Sequence, residues 1–200
     1  MSMLRRWFAL AGMVLLLVPS VLAAQSRWDI TVQGGAAFPT KSLSNADLDA
    51  GVGFEGTVGY QVYGPLTAYA GWGWHRFTSK DLATPFRNGA ANVVQTGYVF
   101  GLRYSHELQG RGLRPTLVAR AGGTLEHLET KTWSGTMTED TGHGLGGELG
   151  VALGLTLANH WSVMPGLRFR SLRRDLTIDG LKRPARLDYL TLEAGVNYAF

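Results

Sequence analysis

The last ten residues of the chain, 191–200, are TLEAGVNYAF. Thr191, Glu193, Gly195 and Asn197 alternate with apolar residues. These apolar residues are Leu192, Ala194, Val196, Tyr198 and Phe200. Because successive side chains of a β-strand point to opposite faces, a period of two indicates a strand with one apolar and one polar face.

Seven further segments show the same alternation. They begin near Trp28, Val52, Leu66, Val94, Leu117, Leu149 and Trp161. In each segment leucine, valine and aromatic residues on one face oppose glycine, threonine and charged residues on the other. Eight strands can close into a barrel without a free edge. The sequence therefore predicts an all-β fold, an eight-stranded antiparallel up-and-down β-barrel.

The composition of the two faces distinguishes a membrane barrel from a soluble ligand-binding barrel of the lipocalin type, which also has eight strands. The face with arginine, glutamate, threonine and glycine cannot line an apolar ligand cavity. The bulky apolar face must then point outward, and a soluble monomer rarely exposes so large an apolar surface. In a bilayer, a closed barrel satisfies all its backbone hydrogen bonds internally. We therefore expect a transmembrane β-barrel.

The amino-terminal segment has the features of an export signal. Arg5 and Arg6 precede an apolar run from about Trp7 to Val18, and small residues follow at Ala23 and Ala24. A run of about twelve residues is shorter than the ~20 that a transmembrane helix needs. We expect a cleaved signal peptide at 1–24 and a barrel domain at 25–200.

Composition excludes several other classes. The net charge of +4 includes the two arginines of the signal segment, so no dense basic face remains for nucleic acid. The absence of cysteine excludes disulfides and thiolate metal sites. The five histidines lack paired spacing for a metal. We expect no catalytic residue, no metal and no cofactor.

The connections between strands alternate in length. Gly64–Pro65 and Asn159–His160 are short, and 106–113 is intermediate. The long polar connections are 39–50, 79–92, 127–143 and 172–186. Outer-membrane barrels have short periplasmic turns and longer external loops. We therefore expect four extracellular loops and periplasmic termini.

The whole mature chain resembles small bacterial outer-membrane β-barrel domains of the OmpA and OmpX type. The ending carries the most specific motif, because Leu192, Ala194, Val196, Tyr198 and Phe200 resemble the carboxy-terminal signal that such barrels present to the barrel assembly machinery. The resemblance implies location in the outer membrane of a Gram-negative-type bacterium, among outer-membrane lipids and lipopolysaccharide.

Charged residues on the inward face predict an ion network in the lumen. With a turn around Asn159–His160, antiparallel pairing places Glu148 opposite a residue near Arg170, and both residues have inward parity. Arg168, Arg120 and Glu193 share the inward parity and extend the network. On the lipid face each arginine would cost about 2 to 4 kcal/mol near the midplane. The open question is Pro165, because a bulge there would reverse the parity of the residues that follow.

For function, we expect a non-enzymatic structural or surface-interaction role. The candidate surface patch is basic and belongs to the last loop. Its residues are Arg173, Arg174, Lys182, Arg183 and Arg186. Such a patch is suited to the phosphates of lipopolysaccharide or to an acidic extracellular partner.

Two alternatives remain open. An enzyme acting on lipid A would need a histidine near the outer leaflet, such as His127 with Glu126 or Glu129; His160 and Ser162 lie at a short turn on the wrong side. A small-solute channel would need an open lumen, whereas eight strands leave room for little beyond side chains.

Overall fold

The structure is a computed structural model that describes residues 27–40, 48–79, 91–109, 115–132, 137–178 and 181–200. The expected signal peptide, 1–24, lies outside the described residues. No helix in the described ranges is long and apolar enough to cross a bilayer.

The described residues form nine antiparallel strands. They are β1 (Trp28–Pro39), β2 (Gly51–Tyr63), β3 (Leu66–Ser79), β4 (Ala91–Glu107), β5 (Pro115–Thr132), β6 (Met137–Asp140), β7 (Gly144–Ala158), β8 (Trp161–Ile178) and β9 (Leu181–Ala199). The short strand β6 pairs only with β5 among the described strands. The other eight pair in the order β4-β3-β2-β1-β9-β8-β7-β5, and a β4–β5 ladder joins the two ends. The predicted eight-stranded antiparallel barrel is confirmed.

Burial is inverted relative to a soluble protein. Charged side chains are among the most buried, with Arg170 and Glu126 at 0% exposure. Apolar side chains cover the outer surface, where Val32 is 58% exposed and Leu149 is 61% exposed. This arrangement matches the apolar band that a barrel presents to lipid, and it excludes the lipocalin alternative.

The barrel has two distinct ends. The terminal end carries Trp28 and Phe200, together with the short turns at Gly64–Pro65 and Asn159–His160. Gly64 has a φ of +48°, a left-handed conformation that a side chain disfavours. The opposite end, which we call the loop end, carries the long connections.

Aromatic side chains cluster on the outside near both ends. At the terminal end, the ring of Tyr198 lies 4.7 Å from Trp161 and 5.0 Å from Phe200, measured between centroids. Towards the loop end, Phe54 lies 5.7 Å from Trp74. Such girdles are typical of the two interfaces of a membrane barrel.

The last long connection differs from the sequence expectation. Residues 172–186 were expected to form a loop, but β8 and β9 pair up to Ile178 opposite Leu181, so the segment is an extended hairpin. The third connection is also partly paired, because β5 continues to Thr132 and β6 lies against it. Two adjacent antiparallel segments pair through their backbone N–H and C=O groups, whether or not their side chains are polar, so a polar segment can continue a strand.

Pro165 does not change the register of β8. Ala152 pairs with Gly166 on one side of it and Leu155 with Val163 on the other, and the two pairs belong to one continuous register. The β7–β8 irregularity lies instead near the turn, between Thr156 and Ala158. The inward parity of the β8 arginines therefore does not depend on a bulge at Pro165.

Candidate functional site

The centre of the lumen contains a cluster of three guanidinium groups and four carboxylates. Its members are Arg120, Arg168, Arg170, Glu55, Glu126, Glu148 and Glu193. They come from β2, β5, β7, β8 and β9. We call this set the lumen cluster. Its formal charges sum to −1, from three positive and four negative groups.

Arg170 lies at the centre of the lumen cluster. It is directly opposite Glu148 in the β7–β8 ladder, and its Nε donates to Glu148 Oε2 at 2.9 Å. Its other nitrogens reach Glu126 Oε1 at 3.1 Å and Glu55 Oε2. One guanidinium thus joins carboxylates from three strands, which ties opposite walls of the barrel together.

Arg168 and Arg120 complete the lumen cluster. Arg168 holds both carboxylate oxygens of Glu193, with Nε 3.2 Å from Oε1, and its Nη1 also donates to Glu55. Arg120 Nη2 lies 3.0 Å from Glu55 Oε1 and also contacts Glu148. Two-point arginine–carboxylate contacts add directional specificity to the charge attraction.

Neutral side chains occupy further acceptor sites of the carboxylates. Tyr69 donates its hydroxyl to Glu148 Oε1 at 2.6 Å, and its ring lies 4.3 Å from the guanidinium carbon of Arg120. Gln33 donates to Glu55 at 2.9 Å, and Gln95 donates to Glu126 at 2.6 Å. The cluster is therefore a network of charge-assisted hydrogen bonds and not a set of isolated ion pairs.

Glycine makes room for this network. A Cβ at Gly122 would lie 2.5 Å from the hydroxyl of Tyr69 and 2.3 Å from the carbonyl oxygen of Phe100. A Cβ at Gly101 would lie 2.6 Å from the same hydroxyl. These two inward glycines therefore accommodate Tyr69, and they do not leave an open path.

A second polar layer lies nearer the terminal end. Arg103 forms an ion pair with Asp29 and donates to Thr31 at 3.3 Å. Asn197 donates to both Asp29 and Thr31 at 2.9 Å. A cavity of about 20 Å³ touches this layer, lined in part by Thr31 and Arg103, and a space of that size holds about one water molecule.

An apolar layer occupies the lumen at the loop end. It consists of Ala37, Phe77, Val93, Leu128, Leu172, Leu187 and Tyr189, which are at most 2% exposed. Leu48, from the β1–β2 connection, packs against it. We call this set the apolar cap, and it covers the lumen cluster on the side of the long connections.

The structure brings together all five residues that the sequence placed in an interior network: Glu148, Arg170, Arg168, Arg120 and Glu193. Sequence reasoning missed Glu55, Glu126 and the apolar cap as parts of the lumen filling. Glu55 and Glu126 have inward parity, which is the signal available in the sequence. Their arginine partners, however, lie on strands that are not adjacent to theirs, so no hairpin register predicts these ion pairs.

The five residues of the expected assembly signal all lie at the carboxyl end of the chain, four of them on β9. Leu192, Ala194 and Val196 are exposed on the outer surface, whereas Tyr198 and Phe200 are partly buried in the terminal-end aromatic cluster. The backbone of Phe200 donates to the carbonyl oxygen of Trp28 at 3.1 Å, which ties the chain end to β1.

The basic patch lies on the extended β8–β9 hairpin instead of on a loop. Arg173 and Arg186 are direct cross-strand partners, and both are exposed. Arg186 Nε also forms an ion pair with Asp188 at 2.7 Å. For Arg174, Lys182 and Arg183 the structure describes only the backbone, which places all three on the same hairpin.

The two histidines considered as catalytic candidates, His127 and His160, lie at opposite ends of the barrel. His160 Nδ1 donates to the carbonyl oxygen of Ala199 at 2.8 Å, so its imidazole is tied to the end of β9. Glu126 is fully buried in the lumen, whereas His127 bonds Glu129 at 3.0 Å on the outer side of β5. Of the two carboxylates considered for His127, the structure brings only Glu129 to it among the described contacts.

An apolar outer surface, a closed antiparallel barrel and a polar filled lumen together define a small membrane β-barrel. The chain belongs to the outer membrane protein beta-barrel domain family, whose pattern matches residues 8–200. No curated protein sequence matches the chain.

Solved structures share this architecture. The Neisserial surface protein A, NspA, is 15% identical over 88% of this chain and 98% of its own, with a TM-score of 0.62. OprG from Pseudomonas aeruginosa is 16% identical over 88% and 97%, with a TM-score of 0.48. Ail of Yersinia pestis, in complex with the heparin analogue sucrose octasulfate, is 11% identical over 86% and 99%, with a TM-score of 0.47. At 15% identity, the likeness to NspA is a likeness of fold.

Proposed function

We propose that this protein is a non-conducting, non-enzymatic barrel of the outer membrane with a structural or surface-interaction role. The observation that carries the proposal is the filled lumen. The lumen cluster spans the barrel with buried guanidinium–carboxylate contacts, and the apolar cap covers it at the loop end. A continuous water path would require both layers to separate.

The proposed topology follows from the two ends of the barrel. Residues 1–24 serve as the cleaved signal peptide, the terminal end faces the periplasm, and the loop end faces outward. The short turns at the terminal end and the extended β8–β9 hairpin at the other support this orientation. In this orientation lipopolysaccharide surrounds the loop end. The barrel assembly machinery recognises the carboxyl-terminal residues of β9 from the periplasm.

The basic patch is the proposed contact with the outer surface. Arg173 and Arg186 present two exposed cations side by side on the β8–β9 hairpin, which suits the phosphates of lipopolysaccharide. Replacing both arginines by glutamine is expected to weaken the binding of added lipopolysaccharide to the folded barrel in neutral detergent micelles, while leaving the binding of added neutral phospholipid unchanged. If the double variant binds lipopolysaccharide as tightly as the parent, the basic patch is not the contact with the outer surface.

Planar-bilayer recording tests the non-conducting state. The mature chain, refolded and checked for a closed barrel by its shifted mobility on unboiled gels, is expected to produce no stable single-channel openings. A general porin inserted under the same conditions is the positive control for the bilayer. Stable, large openings from the folded chain would show that the lumen cluster and the apolar cap do not block conduction, and would favour the channel alternative. Hydrolysis or acyl transfer on added lipid A would instead favour the enzyme alternative.

A further inference from the structure

Two histidines meet on the outside of the barrel near the loop end. His127 lies on the outward face of β5, because its neighbours Glu126 and Leu128 are buried in the lumen. His143 immediately precedes β7 and is exposed. Sixteen residues separate the two in sequence, so only the folded barrel brings them together.

Their imidazoles face each other through one nitrogen each. His127 Nδ1 lies 3.4 Å from His143 Nε2, and the ring centroids are 4.6 Å apart. A separation of 3.4 Å is long for a direct hydrogen bond. It matches the spacing of two nitrogen ligands around one tetrahedral ion, which is about 3.3 Å for metal–nitrogen bonds of about 2.0 to 2.1 Å.

A carboxylate orients the first of these rings. Glu129 Oε1 lies 3.0 Å from His127 Nε2, the nitrogen that points away from His143. If Nε2 donates its proton to Glu129, the lone pair of Nδ1 is directed at the space between the two histidines. Metal-binding histidines are commonly held in this way, with the second ring nitrogen donated to a carboxylate. The ring of Tyr98 lies beside that of His143, with 6.5 Å between the centroids and 26° between the planes.

We propose that His127 and His143 form a binding site for a divalent transition-metal ion such as Zn²⁺, with Glu129 as a positioning residue. Imidazole is a preferred ligand for Zn²⁺, Cu²⁺ and Ni²⁺. No group of three or more His, Cys, Asp or Glu side chains in the described residues is arranged to hold a metal. The described residues supply two ligands to this site, and water or phosphate oxygens at the membrane surface can complete the coordination.

Zinc titration of the untagged mature chain in detergent micelles tests this proposal. Competition with a chromophoric chelator is expected to show one Zn²⁺ per barrel. Replacing either ligand, as His127→Ala or His143→Ala, is expected to abolish that binding. Glu129→Gln is expected to weaken it by roughly 10- to 100-fold while leaving the stoichiometry at one. Gel mobility of the unboiled protein establishes that each variant is folded.

His160→Ala is the matched control, since His160 lies at the opposite end of the barrel and bonds the backbone of Ala199. This variant is expected to bind Zn²⁺ as the parent does. The proposal is overturned if the parent binds no Zn²⁺, or if folded His127→Ala and His143→Ala bind as tightly as the parent. A Cu²⁺-loaded sample provides a second readout, because its electron paramagnetic resonance spectrum reports the number of coordinating nitrogens, which we expect to be two from the protein.

Discussion

At the scale of single residues, the lumen cluster is asymmetric in charge. Its three guanidinium groups face four carboxylates, so a neutral replacement of Glu148 leaves three of each, whereas a neutral replacement of Arg170 leaves two against four. Removing one partner of a buried ion pair typically destabilises a protein by about 3 to 5 kcal/mol, because the other charge is left without compensation. The two partners of one pair should therefore not be equivalent.

We predict that Arg170→Met lowers the free energy of unfolding by about 3 to 5 kcal/mol and that Glu148→Gln lowers it by clearly less. The measurement is urea unfolding in lipid vesicles, followed by the loss of the mobility shift on unboiled gels. Arg27→Gln, which changes an exposed arginine just before β1, is the control and should be close to the parent. The argument from charge balance fails if Glu148→Gln is as destabilising as Arg170→Met.

At the scale of the element, β9 combines two tasks. Its inward residues Thr191 and Glu193 face the lumen. Its outward residues form the apolar face that we expect the barrel assembly machinery to recognise. Phe200 follows the strand, and its ring lies 5.0 Å from that of Tyr198. A structural role alone would make Phe200 one member of an aromatic cluster, replaceable by another apolar residue.

We predict that deleting Phe200 reduces the amount of folded barrel in the outer membrane of cells far more than it reduces folding into pure lipid vesicles. The reason is that only the cellular route depends on the proposed assembly signal. Phe200→Tyr, which retains an aromatic ring, is the conservative control. Equal losses in cells and in vesicles would assign Phe200 to packing alone.

At the scale of the whole molecule, the proposed orientation places the β8–β9 hairpin outside the cell and the short turns in the periplasm. The chain contains no cysteine, so a single introduced thiol reports its own position. We predict that a membrane-impermeant maleimide labels Arg173→Cys on intact cells and labels Asn159→Cys only after the outer membrane is broken. Both positions are exposed in the structure, so the difference reports the side of the membrane. Labelling of Asn159→Cys on intact cells, with Arg173→Cys protected, would reverse the topology.

The sequence alone determined the eight strands of the barrel and their two faces, but not the short additional strand β6. The alternation that ends in Tyr198 and Phe200 is a local property, because the direction of each side chain depends only on its place in an extended backbone. The proximity of Glu148 to Arg170 followed as well, because a two-residue turn at Asn159–His160 places Glu148 opposite Ser171. The irregularity between Thr156 and Ala158, which the sequence did not reveal, moves its partner by one residue to Arg170. The height of the β8–β9 hairpin did not follow from the sequence, because polar residues above a membrane are compatible with a loop and with a paired strand.

Only the closed barrel decided the contacts across the lumen and around its rim. Glu55 meets Arg168 and Arg170 although 113 and 115 residues separate them in sequence, and no turn geometry relates these strands. His127 and His143 likewise meet through the packing of the connection that precedes β7. Strand periodicity specifies which residues face inward, but closure and stagger of the eight strands determine the height at which each side chain lies, and therefore which charges touch.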